Sequence, residues 1–207
     1  MIDMKLRMLM MTCAFTVLGA WAQSAKSVLD KAASQLSRGA VSAHFTASGA
    51  MGKQNGTLVA QGNKFVLTSP QAHIWFDGKT EWALAQGSGE VNVTTPSAAE
   101  VASMNPMNFV NLYKRGYNAT MTDKGSVYEV HLVATNAKNS IKEAYVTVAK
   151  SSNLPQQVRV RTGASSWTTI AISELQVGAK KADGFFRFNP KDFPKVEVVD
   201  LVDANEG

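Results

Sequence analysis

Apolar and polar residues alternate one by one through a long stretch of the chain, from Gly56 to Pro96. The runs Gly56–Ala60, Lys64–Thr68, Ile74–Leu84 and Glu90–Val93 each carry the period of two expected of a half-buried strand. Phe65 and Leu67 share one face of their run, with Lys64, Val66 and Thr68 on the other. Trp82 and Leu84 lie opposite Glu81 and Ala83. Gly62-Asn63, Asp77-Gly78 and Gly87-Ser88-Gly89 separate the runs with residues that tolerate positive φ. The pattern predicts an antiparallel meander with one strongly apolar, aromatic-rich face.

The period changes on either side. Ser24 to Arg38 places Val28, Leu29, Ala32 and Leu36 on one helical stripe, with Ser27 and Asp30 as a capping pair and Gly39 as a stop. Val41 to Gly52 reads as a strand. After Thr95-Pro96, Ser97-Ala98-Ala99-Glu100 has capping-box spacing, and Ala98, Val101 and Met104 repeat as in a short helix. Asn105-Pro106 starts a second one, in which Met107, Val110 and Tyr113 are joined by Phe109 and Leu112 before Gly116 ends it. Two short helices broken by Asn-Pro fit a hinged cover or an ordinary packed connection; periodicity is the same for both. Strand alternation returns at Tyr117 and runs through Tyr128–Leu132, Ala144–Val148, Val158–Arg161 and Trp167–Val177. Asp183-Gly184 then turns into Phe185–Phe188, and Val196–Leu201 is a last short strand. Many strands with few helices predict an α+β fold dominated by one sheet, strongly twisted or partly closed.

The first 22 residues stand apart: a short basic start ending at Arg7, an apolar run from Met8 to Gly19, and a small-x-small site at Ala20-Trp21-Ala22. This is the plan of a secretory signal peptide cleaved after Ala22, too short for a membrane span. Cys13, the single cysteine, lies inside it, and Thr12 before it fits a lipoprotein signal poorly. The expected mature chain, residues 23–207, is one soluble domain without disulfide or thiol chemistry. Its net charge is +4 once Asp3, Lys5 and Arg7 are set aside. No dense Lys/Arg block accompanies that excess, which argues against a nucleic-acid partner.

The chain lacks the spacings of a catalytic, metal or nucleotide site. His44, His73 and His131 are scattered, and there is no HExxH, no Gly-x-Ser-x-Gly and no phosphate-binding glycine loop. Glu129 and His131 share a strand face, which is half of a metal site or a solvated surface. Arg159 and Arg161 also share a face, either a plain solvent surface or a docking patch for an acidic partner or lipid head groups. No enzyme activity, metal or cofactor is called for.

Taken in order, Gly56-Thr57-Leu58, Phe65, Phe76-Asp77-Gly78-Lys79-Thr80-Glu81-Trp82 and Glu90-Val91-Asn92-Val93 carry a resemblance. With the ending Phe186-Arg187-Phe188-Asn189-Pro190 and Val196-Glu197-Val198, the chain resembles the LolA-like family of periplasmic outer-membrane lipoprotein carriers over nearly all of its mature length. The resemblance implies an incomplete antiparallel β-barrel closed by an N-terminal helix and short cover helices, around an apolar cavity for acyl chains. It makes Leu58, Phe65, Leu67, Phe76, Trp82 and Leu84 cavity-wall candidates, and Val101, Met104, Met107, Phe109 and Val110 cover candidates. It also implies a monomer in the periplasm, acylated lipoproteins or other lipids as cargo, an inner-membrane transporter as donor and an outer-membrane acceptor.

One departure bears on mechanism. Where well-studied carriers have a Lys-Arg-Pro run whose arginine latches the cover, this chain has Val59-Ala60-Gln61-Gly62-Asn63. Gln61 is the candidate latch that remains, without charge to assist it. This departure raises a second reading beside the carrier, a periplasmic lipid-binding sensor or regulator with the same fold; a third, ranked well behind, is a metal protein or enzyme using Glu129 and His131.

Overall fold

The computed structural model describes residues 24–49, 52–97, 100–101, 106–163 and 166–202. The expected leader and its cleavage site at Ala22 lie outside the described residues, as does the cover candidate Met104. Helix α1 (Ala25–Leu36) is followed by β1 (Ala40–Gly49), β2 (Gly52–Gln61), β3 (Lys64–Thr68), β4 (Ala72–Phe76), β5 (Glu81–Ala85) and β6 (Glu90–Thr94). A 3-10 helix, Pro106–Arg115, leads to β7 (Tyr117–Lys124), β8 (Val127–Ala134), β9 (Glu143–Ala149), β10 (Pro155–Arg161) and β11 (Thr168–Gly178). Short 3-10 turns at Asp183–Phe186 and Pro190–Asp192 precede β12 (Glu197–Asp200).

The twelve strands among the described residues form one sheet in the order β12-β6-β5-β4-β3-β2-β1-β11-β10-β9-β8-β7. Every neighbouring pair is antiparallel except β12 with β6, which is parallel. The two ends, β12 and β7, do not pair, so the barrel stays open. This is the β-dominated, incompletely closed sheet that the alternation and the resemblance predict.

α1 buries the stripe read from the sequence, Val28, Leu29, Ala32 and Leu36, together with Ala25. It packs on the Pro106–Arg115 helix and on β7 and β8. Its cap differs from the expectation. Ser24 is the N-cap, its Oγ accepting from the Ser27 N–H at 3.1 Å, so Ser27 is the third helical residue. Asp30 is thereby left to act elsewhere. Gly39 is needed for a different reason than a helix stop: a Cβ there would stand 1.9 Å from the Gly178 carbonyl oxygen of the neighbouring strand.

Two apolar clusters lie on opposite faces of the sheet. The larger fills the concave face, where Leu58, Phe65, Val130, Leu132, Val146 and Val158 meet α1 and the Pro106–Arg115 helix. The smaller lies on the convex face of β3–β6, where Val66, Trp75 and Val91 are covered by Phe186 and Phe188. The segment from Ala179 to Val196 thus runs as a strap across the back of the sheet, from β11 to the far edge at β6. It contains no strand at Phe185–Phe188; Asp183–Phe186 is a 3-10 turn that buries Phe186.

Candidate lipid-binding site

The concave face of the meander follows from register. Leu58 pairs with Leu67, Ala60 with Phe65, Phe65 with Phe76 and Leu67 with Ile74. Directly paired residues project to the same side, so Leu58, Phe65, Leu67 and Phe76 form one wall. Leu58, Phe65 and Phe76 are fully buried in the larger cluster, and Leu67 packs partly buried against it. Phe65 and Phe76 have ring centroids 5.3 Å apart. Gly56 lets the wall close up at its end, because a Cβ there would stand 2.3 Å from the Thr68 carbonyl oxygen and 2.9 Å from the Phe45 ring.

Trp82 and Leu84 do not belong to that wall. The turn between β4 and β5 sets Phe76 opposite Glu81 and Trp75 opposite Trp82, which sends Trp82 and Leu84 to the convex cluster. Each strand's own alternation is as read, but the phase between strands is set by the turn, where Asp77 Oδ1 accepts from the Lys79 and Thr80 N–H groups at 3.1 and 3.0 Å. The residue on the concave side is Glu81. Its Oε2 is buried with no hydrogen-bond partner among the described residues. Burial, with the Glu100 carboxylate nearby, pushes the Glu81 carboxyl above its ordinary range.

The cover lies across this face. Met107, Phe109 and Val110 are buried in the larger cluster, and Val101 packs against it. The capping box forms as expected: Ser97 N–H and Oγ both donate to Glu100 Oε2 (2.8 and 2.7 Å), and the Glu100 N–H returns to Ser97 Oγ at 3.4 Å. A pocket of about 100 Å³ lies between cover, α1 and sheet, bounded by Ala33, Leu36, Val41, Ala60, Met107 and Val110.

Gln61 is not what holds it. Its Nε2 donates to the Lys181 carbonyl at 3.2 Å and its Oε1 accepts the Lys181 N–H at 2.8 Å, so both ends of the amide engage the strap on the other face. The physical reason is again strand parity, since Ala60 points inward and Gln61 outward. The contact that ties the cover down is one that sequence reading missed. Asp30 on α1 accepts the Tyr113 hydroxyl and lies 3.2 Å from Lys114 Nζ, both on the cover helix. The Tyr113 hydrogen bond, helped by Lys114, holds the Asp30 carboxyl below its usual range against the opposing effect of burial. Asp30 sits on the polar face of an amphipathic helix, where a lone carboxylate carries no signal of its partner.

Glu129 and His131 are engaged with other partners and do not converge. Lys124 Nζ lies 2.6 Å from Glu129, while His131 Nε2 lies 2.7 Å from Glu143, which also binds Arg161 at 2.6 Å. Arg159 lies over the rings of Tyr145 and Trp167, at 5.4 and 5.1 Å from their centroids. No helix among the described residues is long and apolar enough to cross a membrane.

An open half-barrel with an apolar concave face, packed by α1 and a short cover helix, is the architecture of a binding and carrier fold; among the described residues no group of three His, Cys, Asp or Glu gathers to hold a metal ion. The chain belongs to the family described as outer membrane lipoprotein carrier protein LolA, which it matches over residues 15–164. No curated protein matches the sequence. Among solved structures, an uncharacterized conserved protein from Thermus thermophilus superposes with a TM-score of 0.57 at 10% identity, covering 85% of this chain and 98% of that one. A LolA superfamily protein from Nitrosomonas europaea gives a TM-score of 0.45 at 10% identity, covering 80% and 98%. LprF from Mycobacterium bovis gives 0.43 at 9% identity, covering 76% and 96%.

Proposed function

We propose that this protein is a periplasmic carrier that takes up acyl chains of lipoproteins between the concave sheet and the cover, and shuttles them from the inner to the outer membrane. The observation that carries the reading is a buried apolar wall of Leu58, Phe65 and Phe76 under a cover whose polar tie, Asp30 to Tyr113 and Lys114, lies at the surface. Such a tie holds the cover shut at small cost and can be released without unfolding the sheet. Family membership supports the same reading. The donor is then an inner-membrane transporter and the acceptor an outer-membrane protein.

Magnitudes explain why shielding is needed. Burial of one methylene is worth about 0.8 kcal/mol, so exposing an acyl chain of roughly fifteen methylenes to water costs on the order of 12 kcal/mol. A carrier replaces membrane by protein and makes transfer nearly neutral, provided the cover lifts to admit the chain. The pocket beside Met107 and Val110 is about 100 Å³, so loading an acyl chain there requires that motion.

The second reading, a lipid-binding regulator that holds its ligand without moving it, is favoured by one observation. Gln61, at the place of the family's latch arginine, is committed to the strap. One experiment separates the two. Purified protein spanning residues 23–207 is incubated with spheroplasts of its source, and the soluble fraction is searched for lipoprotein bound to it. Release that is lost in a folded Val110→Asp variant supports the carrier. Bound lipid without released lipoprotein supports the regulator, and neither release nor lipid overturns both.

A further inference from the structure

The strap lies beyond the residues that match the lipoprotein-carrier family, which end at 164, yet it is built as carefully as the cover. Three separate ties hold it to the back of the sheet. Gln61 pairs both ways with the Lys181 backbone, Lys64 Nζ lies 2.6 Å from Asp183, and Arg187 Nε lies 2.9 Å from Asp77. Burial pushes the Asp77 carboxyl up, but the Thr80 and Lys79 N–H groups and Arg187 outweigh it and hold the carboxyl below its usual range.

Between strap and sheet lies a cleft of about 510 Å³, several times the pocket beside Met107 and Val110. Its floor is Val59, Val66 and Trp75, and Phe185 and Phe193 stand at its walls. Phe185 is 41% exposed, one of the few large apolar side chains so open to water among the described residues. Trp75 is stacked on His73 at 3.8 Å and met edge-on by Phe193 at 5.4 Å. Clefts of this size, lined by aromatic and aliphatic groups with a few convergent polar ones, are the usual form of small-molecule sites.

The polar groups at the rim define the ligand. Arg187 is already paired with Asp77, and Asp192 accepts from Asn189 Nδ2 at 3.0 Å. His73 has no hydrogen-bond partner among the described residues; burial lowers its affinity for a proton, so the ring is neutral and offers one donor and one acceptor. The hydroxyl-bearing Thr57 and Thr68 complete the rim. The Asp77 and Asp192 carboxylates offset the Arg187 charge, so the rim offers an anion no net attraction, whereas an uncharged ligand needs none.

We propose that the cleft between the strap and the convex face of β2–β4 is a second binding site, for an uncharged amphipathic small molecule whose apolar or aromatic body lies over Val59, Val66 and Trp75 and whose single hydrogen-bonding group meets His73. The sheet separates it from the concave wall, so it is independent of the acyl-chain reading.

The test uses two probes with the same body and different charge: N-phenyl-1-naphthylamine, uncharged, and 8-anilino-1-naphthalenesulfonate, an anion. The expected result is saturable one-to-one binding of the uncharged probe with quenching of tryptophan emission, at least tenfold tighter than the anion. In methyl and indole NMR spectra the shifts should centre on Val59, Val66 and Trp75. Val59→Trp, which fills the cleft from a partly exposed position, should abolish binding, and His73→Phe, which keeps the stack on Trp75, should weaken it severalfold. Shifts confined to Met107 and Val110, equal or tighter binding of the anion, binding unchanged in Val59→Trp, or no binding of the uncharged probe would each overturn the proposal.

Discussion

The Tyr113 hydroxyl donates to the Asp30 carboxylate, and through that bond the cover helix is tied to α1 at the exposed edge of an otherwise buried interface. The same carboxylate lies 3.2 Å from Lys114, so two adjacent cover residues converge on one helix residue.

Removing that tie should loosen the cover without unfolding the protein. Tyr113→Phe is expected to speed amide hydrogen exchange severalfold across residues 106–115, while global stability falls by at most about 1 kcal/mol, as for exposed polar pairs. Exchange that accelerates equally in β8 and β9 would mean the contact belongs to the global fold.

The tie has a defined pH window. Asp30 has its folded pKa lowered, so its contribution is present above the ordinary carboxylate range and is lost as pH falls through the lowered value. Tyr113 has its folded pKa raised, first by burial and then by Asp30, so its contribution is present below the ordinary phenol range and is lost as pH rises through the raised value. The protection of the cover amides, corrected for the intrinsic pH dependence of exchange, should therefore be greatest between those limits and fall in acid. Asp30→Asn should remove the acid limb.

Glu81 has the opposite sign from Asp30. Its raised folded pKa means that the ionised carboxylate is a burden on the folded state, relieved below its ordinary range. Glu81→Gln should raise the urea midpoint at about pH 7 and lose that advantage near about pH 3.5. An equal effect at both pH values would trace the change to packing and not to charge.

Gln61→Ala removes both amide hydrogen bonds to the strap. Folded-state stability should fall by about 1–2 kcal/mol, about 1 for each bond, and the emission of the convex-face tryptophans should shift to the red as Trp75 and Trp82 meet water. Lower stability with unchanged emission would mean that Phe186 and Phe188 hold the strap unaided.

Leu58→Ala tests the wall itself. Leu58 is 2% exposed, and truncation of a buried leucine costs about 2–5 kcal/mol depending on how far the cavity collapses. A loss at the low end, measured by urea unfolding, would indicate that the cover sinks into the vacated space.

Much of the fold was legible because alternation is a local signal. Tyr128–Leu132, Ala144–Val148 and Val158–Arg161 all appear as strands with the expected inward residues, and the Asn105-Pro106 restart coincides with the start of the cover helix at Pro106. Phase between strands is not local. Phe65 and Trp82 each sit on an apolar stripe, and only the Asp77 turn decides that the two stripes face opposite ways. Long-range polar contacts were equally silent: Gln61 meets Lys181 at a separation of 120 residues, and Asp30 meets Tyr113 at 83. Neither residue type names its partner, because a hydrogen bond depends on where the chain returns and not on the residues beside it.

The parallel pairing of β12 with β6 gives the strap a mechanical role. Tethered at β11 and at the opposite margin, and lying outside the bend, it tightens if the half-barrel curls further and slackens if the half-barrel flattens. Spin labels on Asn92 and Thr120 would report this as a shorter, broader distance distribution once the strap is released. The open side of the half-barrel is then free to widen, while its narrowest aperture is set by the length of its own C-terminal tether.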